Sequence, residues 1–94
     1  MFLHIKELKY LGEYRVEATF NNGKKGIADL SAALKGGIFE PLKNPTEFAN
    51  LRLDEELETI AWSNGADLAP EFVYFQAFKN LPELQIQFKE WGYI

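Results

Sequence analysis

The chain has 94 residues, 47% of them hydrophobic, which is enough for one globular domain and too few for two. It contains no cysteine, so disulfide bonds, thiolate metal sites and a cysteine nucleophile are excluded. The net charge is −4, with about −6 in residues 53–94, so direct nucleic-acid binding, which needs clustered Lys and Arg, is not expected.

Three strands are predicted in the first third of the chain. Residues 2–11 are apolar and compatible with a β-strand, and residues 14–20 alternate between apolar and polar side chains with a period of two. Asn22-Gly23 predicts a hairpin turn because both residues tolerate positive φ, and residues 24–30 return as a third strand. The pattern indicates an antiparallel meander.

The middle of the chain predicts short helices. Asp29-Leu30-Ser31 ends the third strand and offers side chains that can accept the free N–H groups of a short helical turn. Asn44-Pro45-Thr46-Glu47 is a helix start, with Asn as the N-cap and Pro at the first helical position. That helix is predicted to be short because residues 51–53 and 58–62 are strand-like.

The last third of the chain predicts a second hairpin and a helix. Asn64-Gly65 turns the chain into a brief return strand over residues 66–68, and Pro70-Glu71 opens a helix whose apolar stripe is Phe72, Phe75 and Phe78. Residues 84–88 alternate as a strand does, although Leu81, Leu84 and Phe88 also fit a helical face, and we predict a strand. The predicted fold over residues 1–94 is α+β, an antiparallel sheet of about five strands with two or three short helices on one face.

A pattern spread over residues 5–74 resembles a bacterial family of small domains of unknown function. Its most specific block is Trp62-x-Asn64-Gly65-x-Asp67-Leu68; the other matching positions are Phe20, Gly23, Asp29-Leu30, residues 38–42, Phe48, Pro70 and Glu71. The resemblance implies a small α+β fold and no assigned activity. Members of that family occur alone or fused ahead of a helix-turn-helix domain, and some are similar to components of toxin–antitoxin-like gene pairs.

The chain departs from the family pattern at two places. Ser63 stands where the family often has Pro, which is a small change in the stiffness of the turn. Residues 75–94 form an aromatic extension beyond the family core, and no DNA-binding domain follows them in this sequence. A regulatory role through DNA would therefore need another protein.

Four residues of the motifs are candidate ligand-binding residues: Asp29, Trp62, Asn64 and Asp67. Each Asp precedes a Leu at a strand end, where capping of the next helical turn is the competing structural role. Trp62 beside Asn64 could pair an aromatic plate with a hydrogen-bonding amide, or could be a core residue entering a turn. A small-molecule site or an enzyme using Asp29, Asp67 and Trp62 is thus an alternative that the sequence leaves open.

The sequence offers no recognisable catalytic set. His4 is the only histidine, neither Ser31 nor Ser63 lies in a Gly-x-Ser-x-Gly motif, and Gly36-Gly37 lacks the Lys-Ser of a phosphate-binding loop. The acidic residues at 54–58 lack the spacing of a calcium loop. We expect no cofactor and no metal, and we lean away from an enzyme.

The last 23 residues contain seven of the chain's fourteen aromatic side chains: Phe72, Tyr74, Phe75, Phe78, Phe88, Trp91 and Tyr93. Because so small a domain can bury only some of them, we expect the remainder to form an interface. The sequence therefore predicts a cytoplasmic protein-interaction module that binds a second copy of itself or a small accessory or antitoxin-like partner, with no membrane contact. Regulation of transcription through a DNA-binding partner is a further alternative.

Overall fold

A computed structural model describes residues 2–94 of the chain. The first three strands are β1 (Ile5–Gly12), β2 (Arg15–Phe20) and β3 (Lys25–Asp29), and they form an antiparallel sheet in the order β1-β2-β3. Alternation along β2 turns Val16, Ala18 and Phe20 into the core, as the period of two predicts. The predicted meander is confirmed.

The two remaining strands form a separate sheet. They are β4 (Arg52–Asp54) and β5 (Thr59–Ala61), which pair with each other in antiparallel fashion. The predicted single sheet of about five strands is therefore divided into three and two, joined where the Ile5 N–H donates to the Glu58 carbonyl at 2.9 Å. The predicted return strand at residues 66–68 is reduced to one bridge between Ala61 and Asp67, so the second sheet stays narrow.

Both predicted Asn-Gly turns are present. Gly23 and Gly65 have φ of 87° and 94°, and in each turn the glycine N–H donates to the carbonyl three residues earlier. The preceding Asn residues keep negative φ, so each turn places a single residue, the glycine, in the left-handed region. Both chain reversals therefore lie where the Asn-Gly pairs predict them.

Short helices occupy the connection between the two sheets. Helices with 3-10 geometry cover Ser31–Ala33 and Gly37–Lys43, and α1 (Pro45–Phe48) follows directly. The Asn44 side chain accepts from the Thr46 N–H at 2.9 Å with Pro45 at the first position, as the sequence predicts. The turn delivers the fully buried Phe48 to the core.

The helix α2 (Pro70–Phe78) packs against β3 through a glycine. A Cβ atom on Gly26 would lie 2.6 Å from Cε1 of Phe78, closer than non-bonded carbon atoms can approach. The absent side chain thus lets the helix lie close to the sheet. The buried side of α2 carries Val73, Tyr74 and Phe78, which corrects the predicted stripe of Phe72, Phe75 and Phe78.

The predicted strand at residues 84–88 is wrong, because this segment is helical. A 3-10 turn at Pro82–Leu84 leads into α3 (Gln85–Glu90). Pro82 starts the turn, and the Gln85 side chain donates to the carbonyls of Lys79 and Leu81 at 2.8 and 2.9 Å. Phe88 lies on the inner face of α3 with no solvent exposure, so burial of this ring selects the helical spacing.

Candidate functional site

The side chains of Trp62 and Asn64, in the block from Trp62 to Leu68, form hydrogen bonds that stabilise the fold. The Trp62 indole is 3% exposed, and its Nε1–H donates to the Phe48 carbonyl at 3.0 Å. Asn64 donates to the Ile38 carbonyl at 3.0 Å and accepts from the Ala66 N–H at 3.0 Å. Both polar side chains of the Trp-Asn pair therefore fasten the hairpin to the helical connection.

The two motif carboxylates behave differently from each other. Asp29 accepts the Ser31 N–H at 3.0 Å, and hydrogen bonds from the backbone and side chain of Ser31 hold the pKa of Asp29 below its ordinary value of 3.8. Asp67 is exposed, and the N-cap of α2 is Ala69 without a side-chain cap. Asp29 accepts the first N–H of the 3-10 turn as predicted, although the N-cap residue itself is Leu30, and the predicted capping of the next helix by Asp67 is wrong.

The candidate ligand residues do not share one cavity. A cavity of about 130 Å³ lies beside Trp62 and Asn64, and its remaining lining consists of Pro41, Leu42, Glu47, Asn50 and Ser63. Neither Asp29 nor Asp67 reaches it. The carboxylates and the indole thus act at separate places in the fold.

The capping by Asp29 gives a pH-dependent expectation. Because its pKa is lowered in the folded state, its stabilising contribution is present above the unfolded pKa and is lost as the pH falls through the folded value. Asp29→Asn keeps a capping oxygen but cannot titrate, so the difference in unfolding free energy between wild type and variant should shrink below about pH 4. Solvent screening limits that difference to about 0.5 kcal/mol in urea unfolding. A constant difference at all pH values would contradict the capping role, and Asp67→Asn is the control.

The aromatic tail folds back onto its own domain. Tyr74, Phe78 and Phe88 are buried, and Phe72, Phe75, Trp91 and Tyr93 are half-buried. Helix α2 lies between the sheet and the tail, because Tyr74 meets Phe20 edge-on at 5.0 Å while Phe75 meets Phe88 at 5.0 Å. Most of the predicted interface aromatics therefore contribute to the intramolecular core.

The last residues of the chain close this cluster. The Tyr93 ring stacks on Phe75 at 4.9 Å and 16°, and the Tyr93 N–H donates to the Phe88 carbonyl at 3.0 Å. Trp91 meets the Tyr74 and Phe88 rings edge-on, each at a centroid distance of 5.9 Å. Edge-to-face pairs of this kind stabilise by about 0.5–1.5 kcal/mol each beyond area burial. The tail is thus an integral part of the domain.

A cleft of about 310 Å³ opens between the N-terminal residues, the first hairpin and the two C-terminal helices. It is lined by Phe2, Leu3, Asn22, Glu71, Tyr74, Gln87 and Trp91. The Asn22 amide donates to the Tyr74 hydroxyl at 3.3 Å, which ties the hairpin to α2 at the cleft wall. Tyr74 and Trp91 were candidates from the sequence, whereas the other lining residues carried no local signal.

The three most exposed large apolar side chains among residues 2–94 are near the two ends of the chain. Phe2 is 85% exposed and Ile86 is 76% exposed, and Ile94 at the C-terminal end is 59% exposed. Phe2 lines the cleft, and Ile86 is adjacent on α3 to the lining residue Gln87. We call Phe2, Ile86, Trp91 and Ile94 the terminal surface.

His4 takes part in a surface ion-pair group. Its Nδ1 lies 3.6 Å from the Glu58 carboxylate, to which Lys6 donates at 2.9 Å. The hydrogen bond from Lys6 is the main reason that the pKa of Glu58 is below its ordinary value of 4.5. Within residues 2–94 no three acidic or histidine side chains are grouped so as to hold a metal ion, and no helix is long and apolar enough to cross a membrane.

A family model described as "Protein of unknown function (DUF2442)" matches residues 5–79. The match ends near the close of α2, so α3 lies outside it. No protein with a curated description matches the chain significantly.

The fold is similar to that of a solved structure from Nitrosomonas europaea, described as "Putative DNA Binding Protein NE0471". The TM-score is 0.71 and the sequence identity is 22%, so the likeness is one of fold. The match covers 84% of this chain and 51% of the other, which means that this chain spans about half the length of that protein.

Proposed function

The chain belongs to the DUF2442 family, and on that premise we propose that it is a protein-interaction module whose terminal surface binds a partner protein or a second copy of the chain. An accessory role beside an antitoxin-like partner is one form of this proposal. The proposed binding surface differs from the one that the sequence suggested. Most of the aromatic side chains are packed inside the domain, so the exposed residues of the proposed surface are mainly Phe2, Ile86 and Ile94.

The observation that carries the proposal is the position of the exposed apolar side chains. The three most exposed of them, Phe2, Ile86 and Ile94, belong to the two ends of the chain. Phe2 and Trp91 meet at one cleft, so residues from both ends contribute to the same face. Exposed apolar groups lose unfavourable contact with water when a partner covers them.

Self-association is the first case to test. We expect Ile86→Ser to lower the average mass measured by light scattering at high protein concentration, because it removes the most exposed side chain of α3. Ile27→Ser is the matched control, since Ile27 is 51% exposed on β3, away from the terminal surface. If the wild type is monomeric at every concentration, self-association is ruled out.

Binding to a different protein is tested by capture. Wild type, Ile86→Ser and Ile27→Ser are compared as bait for the product of the adjacent gene, with affinity measured by calorimetry. The proposal expects a loss of affinity for Ile86→Ser alone. Equal affinity for all three baits would contradict the terminal surface as the binding site.

A second candidate function is a component of transcription regulation that acts through a DNA-binding partner. The half-length match to the Nitrosomonas europaea protein favours it, because that protein is described as a putative DNA binding protein and has as much chain again beyond the matched part. Direct DNA contact by this chain is disfavoured by its net charge of −4. A mobility-shift assay with the partner present and absent separates the two functions.

A further inference from the structure

The cleft beneath the terminal surface combines aromatic rings with a single carboxylate. Phe2, Tyr74 and Trp91 contribute rings, and Asn22 and Gln87 contribute amides. Glu71 is the one carboxylate on the lining, and no Lys or Arg lies there. The faces of aromatic rings carry negative potential, so rings and carboxylate favour the same sign of ligand.

The negative charge of Glu71 is not neutralised by a neighbouring side chain. Among residues 2–94, Glu71 forms no ion pair within 4 Å. It lies in the first turn of α2, where the helix dipole favours a negative charge. Its field extends across the C-terminal cluster, because burial and the charge of Glu71 together raise the pKa of Tyr93 above its ordinary value of 10.0.

We propose that this cleft receives an arginine side chain of the partner polypeptide, with the guanidinium between the Trp91 ring and the Glu71 carboxylate. The inference rests on the proposed function and names the chemistry that the partner must present. A guanidinium matches the site because it stacks on aromatic faces and donates in a fork to a carboxylate. The amide of Gln87 supplies an acceptor oxygen for one of its remaining N–H groups, whereas the Asn22 oxygen already accepts the Lys24 N–H at 3.0 Å.

The surroundings favour a polypeptide over a free metabolite as the source of this cation. A volume of about 310 Å³ is at the lower limit of small-molecule pockets. The lining residue Phe2 is 85% exposed, so apolar surface continues from the cleft to the outside of the domain. A partner chain would cover both features together, with arginine as the central residue and apolar neighbours around it.

The two tryptophans make a direct experiment possible. N-acetyl-L-arginine amide is titrated into the ¹⁵N-labelled protein while the two indole N–H signals are followed by NMR. We expect the Trp91 signal to move saturably, whereas Trp62, which is buried and bonded to the Phe48 carbonyl, stays in place as an internal reference. N-acetyl-L-citrulline amide has the same shape without the charge and should leave both signals unchanged.

Three variants test the role of the carboxylate. Glu71→Gln should weaken arginine binding about tenfold, since it removes a charge-assisted contact. Glu83→Gln is the matched control, because it changes the net charge equally at an exposed residue outside the cleft. Gln87→Lys places a tethered cation on the lining and should abolish the response of Trp91.

The outcomes separate the cleft from the wider function. A Trp91 signal that ignores arginine, or that responds equally to citrulline, overturns the arginine inference, as does equal weakening by Glu71→Gln and Glu83→Gln. Association that still depends on Ile86 would then leave the proposed function standing. If Trp91 responds as expected but Ile86→Ser and Ile27→Ser associate equally, the proposed function fails. Binding of a guanidinium in the cleft is then still supported. Tighter binding of N-acetyl-L-lysine amide than of the arginine probe would overturn the preference for a guanidinium.

Discussion

Replacing Phe88 with alanine will lower the free energy of unfolding by about 3–5 kcal/mol, the range for deletion of a buried phenylalanine ring. Phe88 has no solvent exposure, and its ring meets Tyr74, Phe75 and Trp91 at centroid distances of 5.0–6.1 Å. The cavity left by the substitution would lie between α2 and the tail, where collapse is restricted because the packed rings on both sides are rigid. A loss of this size would show that the tail unfolds cooperatively with the rest of the domain.

Urea unfolding followed by far-UV circular dichroism measures this effect. Ile86→Ala is the matched control on the same helix, since Ile86 is 76% exposed and its truncation should cost less than about 0.5 kcal/mol. If Phe88→Ala cost no more than Ile86→Ala, the tail would have to be a loosely attached extension. The predicted difference between two positions of one six-residue helix is therefore a direct test of the fold.

Replacing Trp62 with phenylalanine will cost about 1–3 kcal/mol, although both side chains are large and aromatic. The indole N–H donates to the Phe48 carbonyl at 3.0 Å inside the core, and a phenyl ring cannot replace this bond, so the carbonyl keeps only the bond from the Leu51 N–H at 3.1 Å. The smaller ring also leaves a void beside Phe48, whose ring lies 5.5 Å from the indole. The lost hydrogen bond and the void both contribute to the cost.

Trp91→Phe is the control for this substitution. The Trp91 indole is half-buried at the cleft, so the same chemical change there should cost about 1 kcal/mol or less. Thermal unfolding and urea unfolding should rank the two variants alike. Equal losses at the two positions would show that the bond from Trp62 to Phe48 contributes little to stability.

The sequence predicted the features of the fold that depend on short local signals. The alternation in β2, the Asn-Gly turns and the Asn44-Pro45 helix start each act within a few residues, and each is found in the structure. The division into two sheets was not predictable in this way, because it depends on how far β1 pairs with the second sheet, which it meets at the bond from the Ile5 N–H to the Glu58 carbonyl. Pairing length is decided by tertiary packing, which propensity does not record.

The helix at the C-terminal end was missed because its pattern is ambiguous. Leu84, Ile86 and Phe88 fit a period of two, and Leu84 and Phe88 also fit a helical spacing. The structure resolves the ambiguity by exposing Ile86 and burying Phe88 against α2, a distinction that needs knowledge of the partner surface. A short apolar run cannot be assigned by periodicity alone.

The cleft could not be predicted from the sequence for a related reason. Its lining comes from residues 2, 3, 22, 71, 74, 87 and 91, which become neighbours only through the packing of α2 between the sheet and α3. The sequence did predict an interface in the aromatic-rich tail, and that stays a prediction. It could not indicate that Glu71, which looked like an ordinary first-turn acid, lies among those rings.

The cleft is lined from both ends of the chain, by Phe2 at one and Trp91 at the other. An affinity tag or a fluorescent fusion attached at either end would therefore emerge at its mouth, where a basic or apolar linker could occupy it. A hexahistidine tag carries aromatic, protonatable side chains that suit this lining, so the binding experiments call for tag-free protein. For immobilisation, an engineered cysteine on the exposed face of β3, such as Lys25→Cys, keeps both chain ends free.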